Sequence, residues 1–168
     1  MKGPRIIQKK AIDTAHDSYL LGLPPEELAV CKVCGVVWHS KHWSLPNETL
    51  TAASNDKAAQ TTCPACRKTA DRFPQGFVTI QGAFTVEHKD EILNLLRNKE
   101  SRALHINPLE RIMEIKESGG SMEVTTTTDK LAQRIGRMLH KAYGGEIEYK
   151  WSSDNKLARV YWTRNDSP

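Results

Sequence analysis

The sequence lacks the features of a membrane protein or a recognisable enzyme. None of its apolar runs approaches the roughly 18 residues that a transmembrane helix needs, and no signal-peptide core follows the first ten residues. A Walker phosphate loop, a G-x-S-x-G motif, an H-E-x-x-H motif and a G-x-G-x-x-G motif are also absent. We therefore expect a cytoplasmic protein that is not an enzyme, with no membrane contact and no small-molecule substrate.

Acidic residues are missing from the first ten positions, which hold Lys2, Arg5, Lys9 and Lys10. The whole chain has 24 basic and 20 acidic residues and a net charge of +4, so the excess lies in this segment. A basic arm in front of a neutral body suits contact with phosphate, but it is also a common solubilising end. We interpret residues 1–28 as a basic N-terminal arm.

Cysteine is scarce, and its four copies form two C-x-x-C pairs: Cys31 with Cys34, and Cys63 with Cys66. In a reducing cytoplasm such pairs indicate metal ligands rather than disulfides. Four thiolates complete a closed tetrahedral shell that leaves no position for a substrate. We predict one structural Zn²⁺ ion in a zinc ribbon of residues 29–72.

Alternatives to this site remain open. The gap between the pairs, residues 35–62, is longer than usual, although a small polar loop over residues 50–62 can absorb the excess. His39 or His42 could replace one cysteine. A redox-active pair is a further possibility, but such a pair starts a helix and we expect neither pair to do so. Trp38 and Trp43 form either the small core of the ribbon or a platform for stacking on bases.

The second half of the chain, residues 73–165, predicts an α+β domain. A turn-rich joint over residues 72–76 precedes it. The predicted elements are a strand at 77–84, a helix at 89–103, a hairpin of 111–117 with 122–128, a helix at 129–143 and a hairpin of 147–151 with 157–162. This order is that of a ferredoxin-like (split βαβ) sheet with an extra C-terminal strand.

The second predicted helix has a basic ridge. Its apolar residues fall within an arc of about 100°, and its cations within a separate arc of about 60°. The apolar residues are Leu131, Ile135, Met138, Leu139 and Ala142, and the basic ridge consists of Lys130, Arg134, Arg137 and Lys141. A row of one sign favours a polyanionic partner, unless Glu146 or Glu148 neutralises it. A second basic group, Arg67, Lys68 and Arg72, follows the second cysteine pair and is also a candidate for RNA contact.

Several segments together resemble the Nmd-three family, the large-ribosomal-subunit export adaptors of eukaryotes and their archaeal counterparts. The segments are the two cysteine pairs, Asn107–Met113, Val124–Gly136, Ala142–Glu146 and Leu157–Val160. The likeness spans residues 28–164, and the Thr-rich strand that runs into Leu-Ala-Gln-Arg-Ile-Gly is its more specific part. Family members carry more C-x-x-C pairs and additional domains, whereas this sequence has a single predicted ribbon.

The resemblance implies zinc binding by the cysteines and attachment to the large ribosomal subunit or its rRNA. The leading hypothesis is therefore a non-enzymatic factor that associates with ribosomes or RNA, with a stress-related role as part of the hypothesis. Two other functions stay open. One is a protein-interaction adaptor that uses the zinc ribbon, and the other is a zinc or redox sensor whose thiols release the metal on oxidation.

Overall fold

The computed structural model describes residue 19 and residues 27–48, 58–152 and 156–166. Most of the predicted basic arm and residues 50–57 of the predicted loop lie outside the described residues. The first half contains β1 (Ala29–Cys31), β2 (Val37–His39), β3 (His42–Ser44), β4 (Ala59–Thr61) and α1 (Pro64–Asp71). The second half contains β5 (Gly76–Gln81), α2 (Ala83–Glu87), α3 (Lys89–Ile106), β6 (Ile112–Ser118), β7 (Ser121–Thr126), α4 (Asp129–Tyr143), β8 (Glu146–Ser152) and β9 (Leu157–Thr163).

The first half forms a sheet of four short strands in the order β3-β2-β1-β4. β1 pairs antiparallel with β2 and parallel with β4. Helix α1 follows β4 directly, because Cys63 caps its first turn and Pro64 supplies a preset φ at its start. The predicted joint at residues 72–76 falls between α1 and β5.

The second half forms a five-stranded mixed sheet in the order β6-β7-β5-β9-β8, so the α+β class is confirmed. β5 pairs antiparallel with β7 and parallel with β9. A ferredoxin-like sheet with an appended strand would place β8, the strand after α4, beside β5. The ferredoxin-like arrangement is therefore not confirmed, since β9 lies beside β5 and β8 forms the edge.

The core of the second half lies between the sheet and its helices. Alternate residues of the central strands and one face each of α3 and α4 are buried in it. Its largest fully buried side chain is Trp162 of β9, whose indole N–H donates to the Gly144 carbonyl at 2.8 Å. Gly136 brings α4 close to the sheet, because a Cβ there would lie 2.5 Å from Cγ1 of Val160.

Most of the locally encoded elements match the predictions, but the predicted strand at 77–84 ends at Gln81, and Phe84 lies in α2. Helix α4 spans residues 129–143 with Thr128 as its N-cap, and Gly119 and Gly120 form the turn between β6 and β7. The predicted apolar face of α4 was wrong in one detail. Ala142, which the prediction included, is exposed, whereas Ala132 and Gly136 are buried. No helix in the described ranges is long and apolar enough to cross a bilayer.

Candidate metal centre

The first cysteine pair lies in a tight turn between β1 and β2. Cys31 ends β1, and its carbonyl accepts a hydrogen bond from the Gly35 N–H at 2.9 Å. Gly35 has a φ of 82°, a left-handed conformation that glycine adopts without strain. The turn thereby brings Cys34 back toward Cys31.

The second pair lies at the start of α1. The parallel register of β1 with β4 places Cys31 opposite Thr61, two residues before Cys63. The Cys63 amide donates to the Cys31 sulfur at 3.3 Å, and the Cys66 amide donates to the Cys63 sulfur at 3.4 Å. The expectation that neither pair starts a helix was wrong, since Cys63 and Cys66 occupy the cap and first turn of α1.

The four sulfur atoms all lie within 4.8 Å of one another, which confirms that the two pairs come together. Tetrahedral coordination with metal–sulfur bonds of about 2.3 Å separates sulfurs by about 3.8 Å. The Cys34 and Cys63 sulfurs are 3.7 Å apart, close to that value and far longer than a disulfide bond. The cluster can therefore hold one metal ion.

The two histidines lie outside this cluster. Nε2 of His39 is 3.1 Å from the Ser44 hydroxyl, and Nδ1 of His42 is 3.0 Å from the Ser40 carbonyl. Among the described residues, only the four cysteines form a group that could hold a metal. The Cys₃His alternative is thus unsupported by the geometry.

Trp38 and Trp43 belong to the interior of the first half. They pair across β2 and β3 with ring centroids 5.6 Å apart. Trp38 is buried, and Trp43 packs against the cysteine cluster. This placement favours the core interpretation over a stacking platform.

The local field favours a thiolate at Cys34. The pKa of Cys34 lies below its ordinary value, chiefly because the Cys63 thiol can donate to its sulfur, with further donation by the Val36 amide and Arg111. The same contact with Cys34 raises the pKa of Cys63. Burial raises the pKa of Cys66, although donation by Arg111 opposes the rise. Metal binding requires thiolates, so the donors around Cys34 favour binding of a cation there, whereas binding at Cys63 and Cys66 must displace a proton.

Arg111 is the residue of the centre that sequence reasoning missed. It lies in the segment between α3 and β6, and its guanidinium donates to Cys34 at 3.1 Å and to Cys66 at 3.3 Å. A third, longer contact joins it to Cys63 at 3.9 Å. No motif marks Arg111, because the contact with Cys34 spans 77 positions of the sequence.

The basic ridge of α4 is exposed at three of its four positions, Lys130, Arg137 and Lys141. Arg134 is half-buried and forms an ion pair with Glu110, which is 2% exposed. The neutralising acid is therefore Glu110 rather than Glu146 or Glu148, and it acts on one cation of the row. Within the described residues no ion pair joins the other three cations to an acid.

A second helix adds to this positive charge. Burial lowers the pKa of Lys99 on α3, and repulsion by Arg134, Arg102 and Arg137 lowers it further. Lys99, Arg102, Arg134 and Arg137 thus form a basic face shared by α3 and α4, with Lys141 one helical turn beyond. Sequence periodicity on one helix could not show that α3 contributes to it.

The other basic group does not form a common surface. Lys68 is 3% exposed, and its ammonium donates to Gln75 at 2.7 Å and to the Thr127 carbonyl at 3.1 Å. As placed, Lys68 cannot reach RNA, which corrects its assignment. Arg67 is half-buried and donates to the Tyr19 carbonyl at 2.8 Å, whereas Arg72 is exposed at the end of α1.

The fold and the site together define an α+β protein with a four-cysteine cluster suited to one metal ion. No protein-family model matches the chain, and no curated protein shows significant similarity to it.

Proposed function

We propose that this protein is a non-enzymatic, zinc-binding factor of the cytoplasm that associates with the large ribosomal subunit or its rRNA. The observation that carries the proposal is the row of exposed cations on α4, Lys130, Arg137 and Lys141, together with the basic face that α4 shares with α3. Like charges clustered in this way lower the stability of a free protein, and a polyanion relieves the repulsion.

Zinc is the metal that best suits the cluster. Soft thiolates in a tetrahedral arrangement are typical of zinc or iron–sulfur sites, and a single closed shell of four cysteines is typical of structural zinc. One pair lies in a turn between two strands and the other at a helix N-terminus, so the ligands come from two separate elements that a single ion would join. The helix N-terminus opposes the rise in the pKa values of Cys63 and Cys66 that burial causes. Bound zinc would hold the turn and α1 together.

The ribosomal partner is proposed from the resemblance to the Nmd-three family together with the basic face. Phosphate contacts supply most of the affinity for RNA and need exposed Arg and Lys side chains. The exposed surface of the sheet differs in charge from the basic face of the helices, because cations there pair with acids, for example Lys116 with Glu114 and Lys150 with Glu148. The basic face is therefore the surface on which an RNA is expected to bind.

The test is sedimentation of the tagged protein through sucrose gradients of cell lysate. The wild-type protein should travel with the large subunit, and association should fall steeply as salt rises because counterions are released. The variant R102E/R137E/K141E should remain at the top of the gradient. Arg134 is left unchanged, since a glutamate there would face the buried carboxylate of Glu110.

The matched control is K116E/K150E/R159E, which makes the same change in net charge on exposed residues of the sheet. This control should sediment like the wild type. Equal loss of sedimentation in both variants would mean that net charge alone matters, and unchanged sedimentation of the helix variant would overturn the proposed surface. Protein partners that survive nuclease treatment would favour the adaptor hypothesis.

A zinc or redox sensor is the second candidate, favoured by one observation. Cys34 is exposed, whereas the other three cysteines are buried. An exposed thiolate is the position at which an oxidant would first reach the cluster. The test is zinc release at low peroxide, measured with the free protein and with the ribosome complex. Slower release in the complex, where Cys34 would be covered, would connect the sensor to ribosome binding. Release only under denaturing conditions would exclude the sensor.

A further inference from the structure

Arg111 is placed as a bridge between the two halves of the molecule. Its side chain reaches three sulfurs of the first half, while its backbone belongs to the second half. The Arg111 N–H donates to the Thr127 hydroxyl at 2.9 Å, and its carbonyl accepts from the Thr127 N–H at 2.9 Å. Its Nε donates to the Pro108 carbonyl at 2.9 Å, which fixes the plane of the guanidinium.

Further contacts between the two halves lie close to Arg111. Thr127 is fully buried, and its carbonyl accepts from the ammonium of Lys68, which extends from α1. Leu109 packs against the cysteine cluster, and its carbonyl accepts from the Thr127 hydroxyl at 2.5 Å. The docked arrangement of the halves therefore centres on Arg111, Thr127 and Lys68.

The charge of a metal-loaded centre explains why a cation beside the sulfurs is favourable. A divalent ion with four thiolates is a doubly negative group, and burying such charge is unfavourable unless a cation and hydrogen bonds compensate it. A guanidinium is always charged and presents N–H donors in a planar fork, so it can serve two sulfurs at once. Donors of this kind orient the ligands and tune their affinity for the metal.

We infer that Arg111 couples metal loading of the cysteine cluster to docking of the first half on the second. The metal-loaded thiolates attract the guanidinium and hold residues 107–111 against the cluster. Without metal, the four sulfurs are no longer held together as one charged group, the guanidinium loses this anchor and the halves separate more readily. Because coupling free energies are reciprocal, docking of the Arg111 segment on the cluster strengthens metal binding by the same factor by which metal strengthens docking. This inference goes beyond the proposed function and requires no RNA contact.

The first measurement is zinc affinity of the full chain by competition with a chromophoric chelator. We expect R111Q to weaken zinc binding by about 10- to 100-fold, the usual range for groups that support metal ligands. R111K should be intermediate, because lysine keeps the charge and loses the fork. R97Q, at an exposed arginine of α3, is the matched control and should bind zinc like the wild type. Cobalt(II) spectra verify that all four thiolates still bind in each variant.

The second measurement is hydrogen exchange of residues 107–111 and Thr127, with and without zinc. In the wild type, zinc should slow their exchange, and in R111Q this effect of zinc should disappear. A structural role of Arg111 without coupling would speed exchange equally with and without zinc. Wild-type zinc affinity in R111Q, or an effect of zinc on exchange that survives in R111Q, would overturn the inference.

Amides of Val78 and Ile80 in the second core report whether each variant is folded. If R111Q loses their protection, R111K decides the matter by the same two measurements. Reduced zinc affinity with a reduced effect of zinc on exchange supports coupling, and wild-type values of both refute it.

Discussion

The two halves of this protein are stabilised by different means. In the second half, strands of six or seven residues and two long helices bury a continuous apolar core around Val78, Ile80 and Trp162. In the first half, each strand has three residues, and cysteines make up most of the buried cluster. Three of the four candidate metal ligands are therefore buried where aliphatic side chains are buried in the second half.

This difference indicates that the two halves need different sources of folding free energy. Burial of apolar area contributes about 25 cal/mol per Å², and the first half has too few apolar side chains to offset its loss of conformational entropy by this means alone. We therefore expect a metal ion bound by the four cysteines to replace the missing core. The second half needs no such ion, because its own side chains fill the space between sheet and helices.

Removal of the metal should have the largest effect and separate the two halves. Structural zinc contributes about 10–16 kcal/mol of apparent binding free energy in isolated zinc fingers. We expect chelation, or C63S, to abolish hydrogen-exchange protection in residues 29–71 while β5 and β9 keep theirs. Exchange followed by mass spectrometry checks this, with zinc added back as the control. Protection of residues 29–71 in verified metal-free protein would show that the first half holds itself together.

Truncation of the second core should produce the opposite pattern. W162A removes a fully buried indole and its hydrogen bond to Gly144, and such changes cost about 3–5 kcal/mol. Urea unfolding followed by circular dichroism, which reports mainly on α3 and α4, measures the loss. W162F retains a ring and should lose less. A variant as stable as the wild type would mean that the second half has a different centre.

A smaller effect is expected from G76A, at the start of β5. An added Cβ would lie 2.1 Å from the Thr126 hydroxyl and 2.8 Å from the Thr128 carbonyl, so backbone must shift. Overpacking of this kind costs about 1–3 kcal/mol. The control is G119A, because no atom lies within 4 Å of its added Cβ and only the positive φ opposes it. Equal unfolding midpoints of G76A and wild type would contradict the close approach.

The smallest effect should follow T128A. The Thr128 hydroxyl accepts from the Leu131 N–H at 3.2 Å and caps α4, and loss of such a cap costs about 1 kcal/mol. T128S keeps the hydroxyl and should restore stability. The two variants are compared by urea midpoint, and a midpoint of T128S as low as that of T128A would show that the methyl group, not the cap, matters.

Features set by near neighbours in the sequence were predictable. The cap and end of α4 depend on Thr128 and Gly144, and the turn before β7 depends on Gly119 and Gly120. The clustering of the cysteines was also predictable, since two C-x-x-C pairs have few other uses in one small chain. The cap, the helix end and the turn are specified by residues a few positions away, whereas the two cysteine pairs are separated by residues 35–62 and were predicted to meet by their chemistry.

Features set by contacts between distant residues could not be predicted from the sequence. β8 and β9 have the same alternation of inward residues, so their sequences do not say which one lies beside β5. Arg111 and Glu110 occupy an irregular segment, and their roles arise only when the halves dock and α4 packs nearby. The prediction for Lys68 failed for a related reason. A short helix with two cations and a third at its C-cap is expected to be exposed, but Lys68 donates to Gln75, which the local sequence does not reveal.

The parallel pairing of β5 with β9 has a consequence for how the chain is made. Gly76 pairs with Ala158, 82 positions later, so the central strand gains its second neighbour only after β9 has been synthesised. Contacts of such long sequence separation form slowly, and until they form one edge of β5 is unpaired. During translation, β5, β6, β7 and their helices therefore remain an incomplete sheet until β9 has been synthesised.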